Sequence, residues 1–202
     1  MKIGIDLDEV LVNTFGSFLN YYNSKHKTNF QIQDVHSYHL WEIFGCSRGQ
    51  VIMSMYQFQN TDLFANLPPA EQAEFSIAQL SRKNEFYVLT SRPEICRGQT
   101  ETWIAKHFPL LLQNLYFTSD FHPNNSKPKS GLCLDLRIEL MLEDAPRYAL
   151  ECAEAGVKTF LFDKPWNQEV SHPKITRVKN WQEALKEITN TKLINPNFTT
   201  PL

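Results

Sequence analysis

The stretch Lys2-Ile3-Gly4-Ile5-Asp6-Leu7-Asp8 sets two carboxylates one residue apart at the end of a short apolar run. A half-buried surface strand alternates apolar and polar residues, whereas these acids stand only where a strand would leave the core. Two carboxylates within ~4 Å repel by ~4 kcal/mol at an effective dielectric near 20. Such a pair must therefore be solvated, protonated or neutralised by a cation. Taken alone, Asp6 and Asp8 could belong to an exposed turn. Three other polar groups change the weighing: Thr90-Ser91 after an apolar run, Glu143-Asp144 after another, and Lys129 at the start of a helical segment. Each also has an ordinary reading. Thr90-Ser91 ahead of Pro93 could form a turn, Asp144 could cap the next helix, and Lys127 and Lys129 could be solvated loop charges.

The elements around these residues decide whether they can meet. Five apolar, β-rich runs are visible: KIGID, EFYVLTS, LYFTS, IELMLED and VKTFLFD. Most are continuously apolar, which suits parallel strands covered on both faces. Helical segments separate the later runs: Arg97 to His107, Lys129 to Arg137 with Leu132 and Leu136 four apart, and Pro146 to Ala155, which stops at Gly156. Strand and helix in alternation predict an α/β fold, a Rossmann-like doubly wound parallel sheet. The stretch between the first two strands is far longer than one crossover requires. Phe15, Phe18, Leu19 and Tyr22 form a helical stripe there, Val51, Ile52, Met55 and Phe58 recur similarly, and Ala73, Ile77 and Leu80 follow. The expected organisation is a core of residues 1–13 and 83–190, a small inserted α-helical cap over 14–82, and an irregular tail over 191–202. In open parallel sheets, sites form outside the carboxyl ends of the strands. Asp6, Asp8, Thr90, Ser91, Glu143, Asp144 and Lys129 would then share one crevice. Converging carboxylates call for a divalent cation, and an all-oxygen set favours Mg²⁺ over zinc.

Bulk properties narrow the partners. The chain has 202 residues, 42% of them hydrophobic, and a formal net charge of −2. No basic field is available for a nucleic acid polymer. No apolar run reaches the ~18 residues of a membrane span, and the acids at 6 and 8 interrupt any signal-peptide core. Cys46, Cys96, Cys133 and Cys152 form no C-x-x-C pair. They read as reduced thiols, which suits a cytoplasmic protein, monomeric or homodimeric. His36 and His39 lack the third ligand that a zinc site needs.

The motif set D-x-D-x-V at Asp6, Asp8 and Val10, T-S at Thr90 and Ser91, Lys129, and the acidic pair Glu143-Asp144 resembles the haloacid dehalogenase superfamily of phosphotransferases. The stretches NLPPAEQAEFSIAQL…FYVLTSRP, K-x-x-x-C…MLEDAP and LFDKPWN are similar to the 5′(3′)-deoxyribonucleotidase, or cytosolic type C 5′-nucleotidase, family, up to about Trp181. This resemblance implies a Mg²⁺-dependent phosphomonoesterase acting on a small phosphorylated substrate, a nucleoside or deoxynucleoside monophosphate. It implies Asp6 as nucleophile forming an aspartyl-phosphate, Asp8 as general acid and base, and Thr90, Ser91 and Lys129 on the phosphoryl group, with Lys127 as a further contact. Asp6, the Asp8 carbonyl and Glu143 would hold the metal, with Asp144 ordering its water. Two departures stand out. Glu143 replaces the usual Asp, so Asp144 could be the direct ligand instead, and Glu9 replaces a small residue. Trp41, Phe44 and Tyr56 in the cap could stack a nucleobase or form the cap's own core, and Trp166 could line the site edge or pack. A sugar-phosphate phosphatase and a low-turnover Mg²⁺- and phosphate-binding regulatory module are the alternative readings.

Overall fold

In the computed structural model of the chain, residues 1–118 and 127–194 are described. The elements run β1 (Lys2–Ile5), α1 (Thr14–His26), α2 (Leu40–Phe44), α3 (Arg48–Gln59), α4 (Asp62–Ala65), α5 (Ala73–Leu80), β2 (Glu85–Thr90), α6 (Arg97–His107), β3 (Leu115–Phe117), α7 (Lys129–Leu136), β4 (Leu140–Glu143), α8 (Pro146–Glu154), β5 (Lys158–Phe162), β6 (Ile175–Val178) and α9 (Trp181–Ile194). The strands form one sheet in the order β3-β2-β1-β4-β5-β6, with every pairing parallel. This is the doubly wound α/β fold expected from the apolar runs. Ser119, expected at the end of the third strand, and residues 195–202 of the expected tail lie outside the described residues.

Alternation along the strands assigns the two faces. Ile3, Ile5, Phe86, Val88, Leu140, Leu142 and Phe160 pack with Ala73, Ile77, Trp103, Ile104, Trp181 and Ile188 of α5, α6 and α9. Tyr87, Leu89 and Met141 face the opposite way, with Cys133 of α7 and Cys152 of α8. Gly4 is on this second face, and a Cβ there would lie 2.7 Å from Met141 Sδ. A side chain at that point would force Met141 to shift.

Three expectations require correction. A sixth strand, Ile175–Val178, was not legible. Its Arg177 breaks the apolar run because the strand is at the sheet edge, where the guanidinium bonds Asp163 and Asn167. α9 continues to Ile194, through residues expected to be irregular. α5, expected in the inserted segment, packs instead against α9 beneath the sheet.

The inserted helices α1 to α4 gather around a small aromatic core. Phe18 packs against Phe58 at 5.7 Å between ring centroids, and Tyr22 stacks on Phe44 at 4.2 Å. Ser47 caps α3 through a reciprocal bond pair with Gln50, which starts the helix sharply. Outside the sheet, the chain entering these helices at Val12 and leaving them at Pro69 pairs antiparallel, with the Ala70 N–H donating to the Leu11 carbonyl at 2.8 Å.

Candidate active site

Strand register builds the centre of the site. Gly4 pairs with Met141 across β1 and β4, so the residues two further on, Asp6 and Glu143, emerge side by side on the α7–α8 face. Lys129, the first residue of α7, reaches both: its Nζ donates to Asp6 Oδ1 at 2.5 Å and to Glu143 Oε2 at 2.9 Å. All three side chains are buried. The other Glu143 oxygen, Oε1, accepts the Ala145 N–H at 3.1 Å. One carboxylate thus spans from the helix lysine to its own turn.

Asp144 completes an acidic trio, with carboxylate oxygens of Asp6, Glu143 and Asp144 all within 4.8 Å of one another. Burial pushes the Asp144 carboxyl up to about 8, reinforced by the charges of Glu143 and Glu9. Burial likewise raises Asp6 well above the carboxylate range, against the pull of Lys129. Burial would lower the Lys129 amine, but Asp6 and Glu143 outweigh it and the net shift is upward. A buried acid trio relieved by one lysine fits a hard divalent cation offered oxygen ligands. Among the described residues it is the one such trio, and His36 and His39 take no part in it.

Asp8 is held separately. Arg92 grips it with two prongs, Nε to Oδ2 at 2.8 Å and Nη2 to Oδ1 at 2.7 Å, and the Thr14 hydroxyl also donates to Oδ1. Burial raises the Asp8 carboxyl, but Arg92 and Thr14 together bring it below its ordinary value. Arg92 is itself buried, donates to Thr100 Oγ1 at 3.2 Å and sits 4.5 Å from the centre of the Phe64 ring. Its backbone N–H donates to Thr90 Oγ1 at 3.1 Å, which fixes the turn after β2. Thr90 is fully buried, whereas Ser91 faces the cavity.

Between Asp8 and α1 the chain turns sharply at Glu9, whose φ of 63° lies in the left-handed region. Glu9 Oε1 accepts the Phe15 N–H at 2.5 Å, and Oε2 accepts Lys164 Nζ at 3.1 Å. The residue that departs from the small one common in the superfamily therefore ties the entry to α1 to the turn after β5.

A cavity of about 540 Å³ opens above these groups. Asp6, Asp8, Arg92 and Asp144 form its floor, while Phe15, Val51, Met55, Tyr56 and Phe64 supply an apolar roof. Tyr56 is thus in the cavity wall. Trp41 and Phe44 are not: Phe44 lies inside the aromatic core of the inserted helices, and Trp41 stacks on His39 at 4.6 Å. Lys127 turns away as well, since its amine pairs with Asp135 on the surface. Trp166 is buried, and its Nε1–H donates to Asp144 Oδ2 at 3.0 Å. Sequence reasoning missed Arg92, Tyr38 and Thr14. Arg92 carried a signal, a charge directly after the polar pair at a strand end; Tyr38 carried none.

A family model described as "5′ nucleotidase, deoxy (Pyrimidine), cytosolic type C protein" matches residues 1–194. The chain belongs to this nucleotidase family. It is accordingly a phosphoric monoester hydrolase of the haloacid dehalogenase superfamily. Among curated relatives, the 5′(3′)-deoxyribonucleotidase of Bacillus subtilis (strain 168) is 25% identical over 189 residues, covering 92% of this chain and 97% of that protein. The solved structure of a haloacid dehalogenase-like protein from Agrobacterium tumefaciens superposes with a TM-score of 0.71 at 12% identity, covering 94% and 98% of the two chains. A haloacid dehalogenase family hydrolase from Deinococcus radiodurans, solved with bound phosphate and sodium, gives 0.65 at 16% identity, covering 100% and 98%. No helix of the described residues is long and apolar enough to cross a membrane.

Proposed function

We propose that this nucleotidase hydrolyses nucleoside or deoxynucleoside monophosphates to nucleoside and phosphate, using Mg²⁺ and an aspartyl-phosphate on Asp6. The observation that carries this reading is the layering of the cavity: carboxylates and cations below, aromatic and aliphatic side chains above. A phosphate suits the lower layer and a flat nucleobase the upper one. Lys129 fixes Oδ1 of Asp6, so the carboxylate is aimed before substrate arrives. A carboxylate oxygen of Asp6 attacks phosphorus, the bond from phosphorus to the ester oxygen breaks, and Asp8 gives a proton to the departing alkoxide. Water then attacks the aspartyl-phosphate, Asp8 takes its proton, and phosphate leaves with Asp6 restored. Ser91, at the cavity edge, and Thr90, the last residue of β2 beneath it, are the groups assigned to the phosphoryl oxygens. Asp6, the Asp8 carbonyl and the Glu143-Asp144 pair would hold Mg²⁺, which supplies the positive charge that lets an anionic nucleophile meet an anionic ester. Helices α1 to α4 act as the cap that excludes water and selects the substrate. The free cysteines suit the reducing cytoplasm.

Phosphate release from a panel of nucleoside 5′- and 3′-monophosphates, deoxynucleotides and sugar phosphates tests this. The expected result is turnover of nucleotides that falls to background with EDTA or with Asp6→Asn. Turnover restricted to sugar phosphates would overturn the assignment of the apolar roof to a base. Nucleotide turnover that survives Asp6→Asn would overturn the covalent mechanism.

A further inference from the structure

Asp144 is held from two sides. Its Oδ2 accepts the Trp166 Nε1–H at 3.0 Å and the Tyr38 hydroxyl at 2.8 Å. Trp166 is buried in the turn after β5 and arrives from the sheet. Tyr38 arrives from the loop between α1 and α2, and so from the inserted helices. The residue as a whole is 47% exposed, and its ring meets Trp166 edge-on at 6.0 Å. A tyrosine so poorly covered contributes little to a core. Its hydroxyl nevertheless crosses the seam to a carboxylate that is 2% exposed. Two donors on one oxygen leave the carboxylate a single orientation to offer the acidic trio, and one of those donors departs whenever the inserted helices lift.

We propose that Tyr38 is a positioning residue that couples seating of the cap to the affinity of the Asp6–Glu143–Asp144 trio for its divalent cation. The proposal rests on the reading of that trio as a cation site. With the cap seated, Asp144 is oriented for the cation; with the cap lifted, Trp166 alone restrains it. Linkage makes the effect mutual, so the cation draws the cap down by the same factor by which the seated cap strengthens binding. Partners that orient a ligating carboxylate typically change metal affinity by about 10–100-fold when removed.

The test combines calorimetric titration of Mg²⁺ with amide hydrogen exchange over residues 35–40, on wild type, Tyr38→Phe, Trp166→Phe and Asp144→Asn. Tyr38→Phe keeps the ring and should leave the metal-free protein folded, its melting temperature lowered only by the loss of one hydrogen bond. It should weaken Mg²⁺ about tenfold and abolish the protection that Mg²⁺ confers on residues 35–40. Trp166→Phe should weaken Mg²⁺ while that protection persists. Wild-type Mg²⁺ affinity in Tyr38→Phe, or protection unaffected by the substitution, would overturn the proposal alone. If wild type takes up no Mg²⁺, or Asp144→Asn takes it up equally well, the cation site itself is refuted and the proposal with it.

Discussion

At Asp8 two requirements compete. In the proposed reaction the side chain lends a proton to a leaving group and later accepts one from water, yet Arg92 and Thr14 hold it as a carboxylate. Burial alone would raise this carboxyl, and Arg92 reverses the direction. Arg92→Gln therefore frees Asp8 to titrate at higher pH. The step that needs ionised Asp8 should follow, so the acid limb of the kcat profile should move to higher pH, with a fall in kcat of about tenfold or more. Superimposable profiles for the two proteins would show that Arg92 has no hold on the working carboxyl. The approach of Asp6, Lys129, Glu143 and Asp144 to one another was legible in the sequence, because each stands at a strand end or a helix start and parallel sheets bring those ends together. Tyr38 could not be found that way. Its bond to Asp144 spans 106 positions and depends on how the inserted helices rest on the sheet.

For the elements, the determining fact is the closeness of β1 and β4 behind the site. A methyl group at Gly4 meets Met141 Sδ at 2.7 Å and Ile138 Cγ2 at 3.2 Å, both side chains being buried. Gly4→Ala should cost about 1–3 kcal/mol through overpacking and lower the melting temperature by several degrees. A melting temperature equal to wild type would mean that Met141 swings aside freely. The five apolar strands and the helices between them were legible because buried parallel strands carry an uninterrupted apolar signature. β6 hid because an edge strand can carry Arg177 without penalty, and the last turns of α9 hid in polar residues. α5 was misplaced because its stripe of Ala73, Ile77 and Leu80 shows that it is amphipathic without showing which surface it covers.

Across the whole molecule, the site carries a charge imbalance that folding must absorb. Asp6, Asp8, Glu9, Glu143 and Asp144 converge, and Lys129, Arg92 and Lys164 answer them. The Asp6 and Asp144 carboxyls are raised in the fold, the latter to about 8, whereas an unfolded Asp titrates near ~3.9. The folded protein thus retains protons that the unfolded chain releases. Their stabilising contribution is complete below about pH 4 and is lost as pH rises through the folded values. In EDTA the melting temperature should therefore fall between about pH 5 and pH 8, and saturating Mg²⁺ should cancel much of that fall. A melting temperature in EDTA that stays level over this range would contradict the raised carboxyls.

The antiparallel contact of Val12 with Pro69 has one more consequence. The insert's two ends are a single hydrogen bond apart, so the scaffold experiences the intervening sixty or so residues as a stalked attachment closed at its base. Changes to what hangs from that base spare the order of the strands but reach the floor of the site through Thr14 on Asp8, Phe64 beside Arg92 and Tyr38 on Asp144. Descendants of such a gene can revise what they admit only while those three contacts are kept.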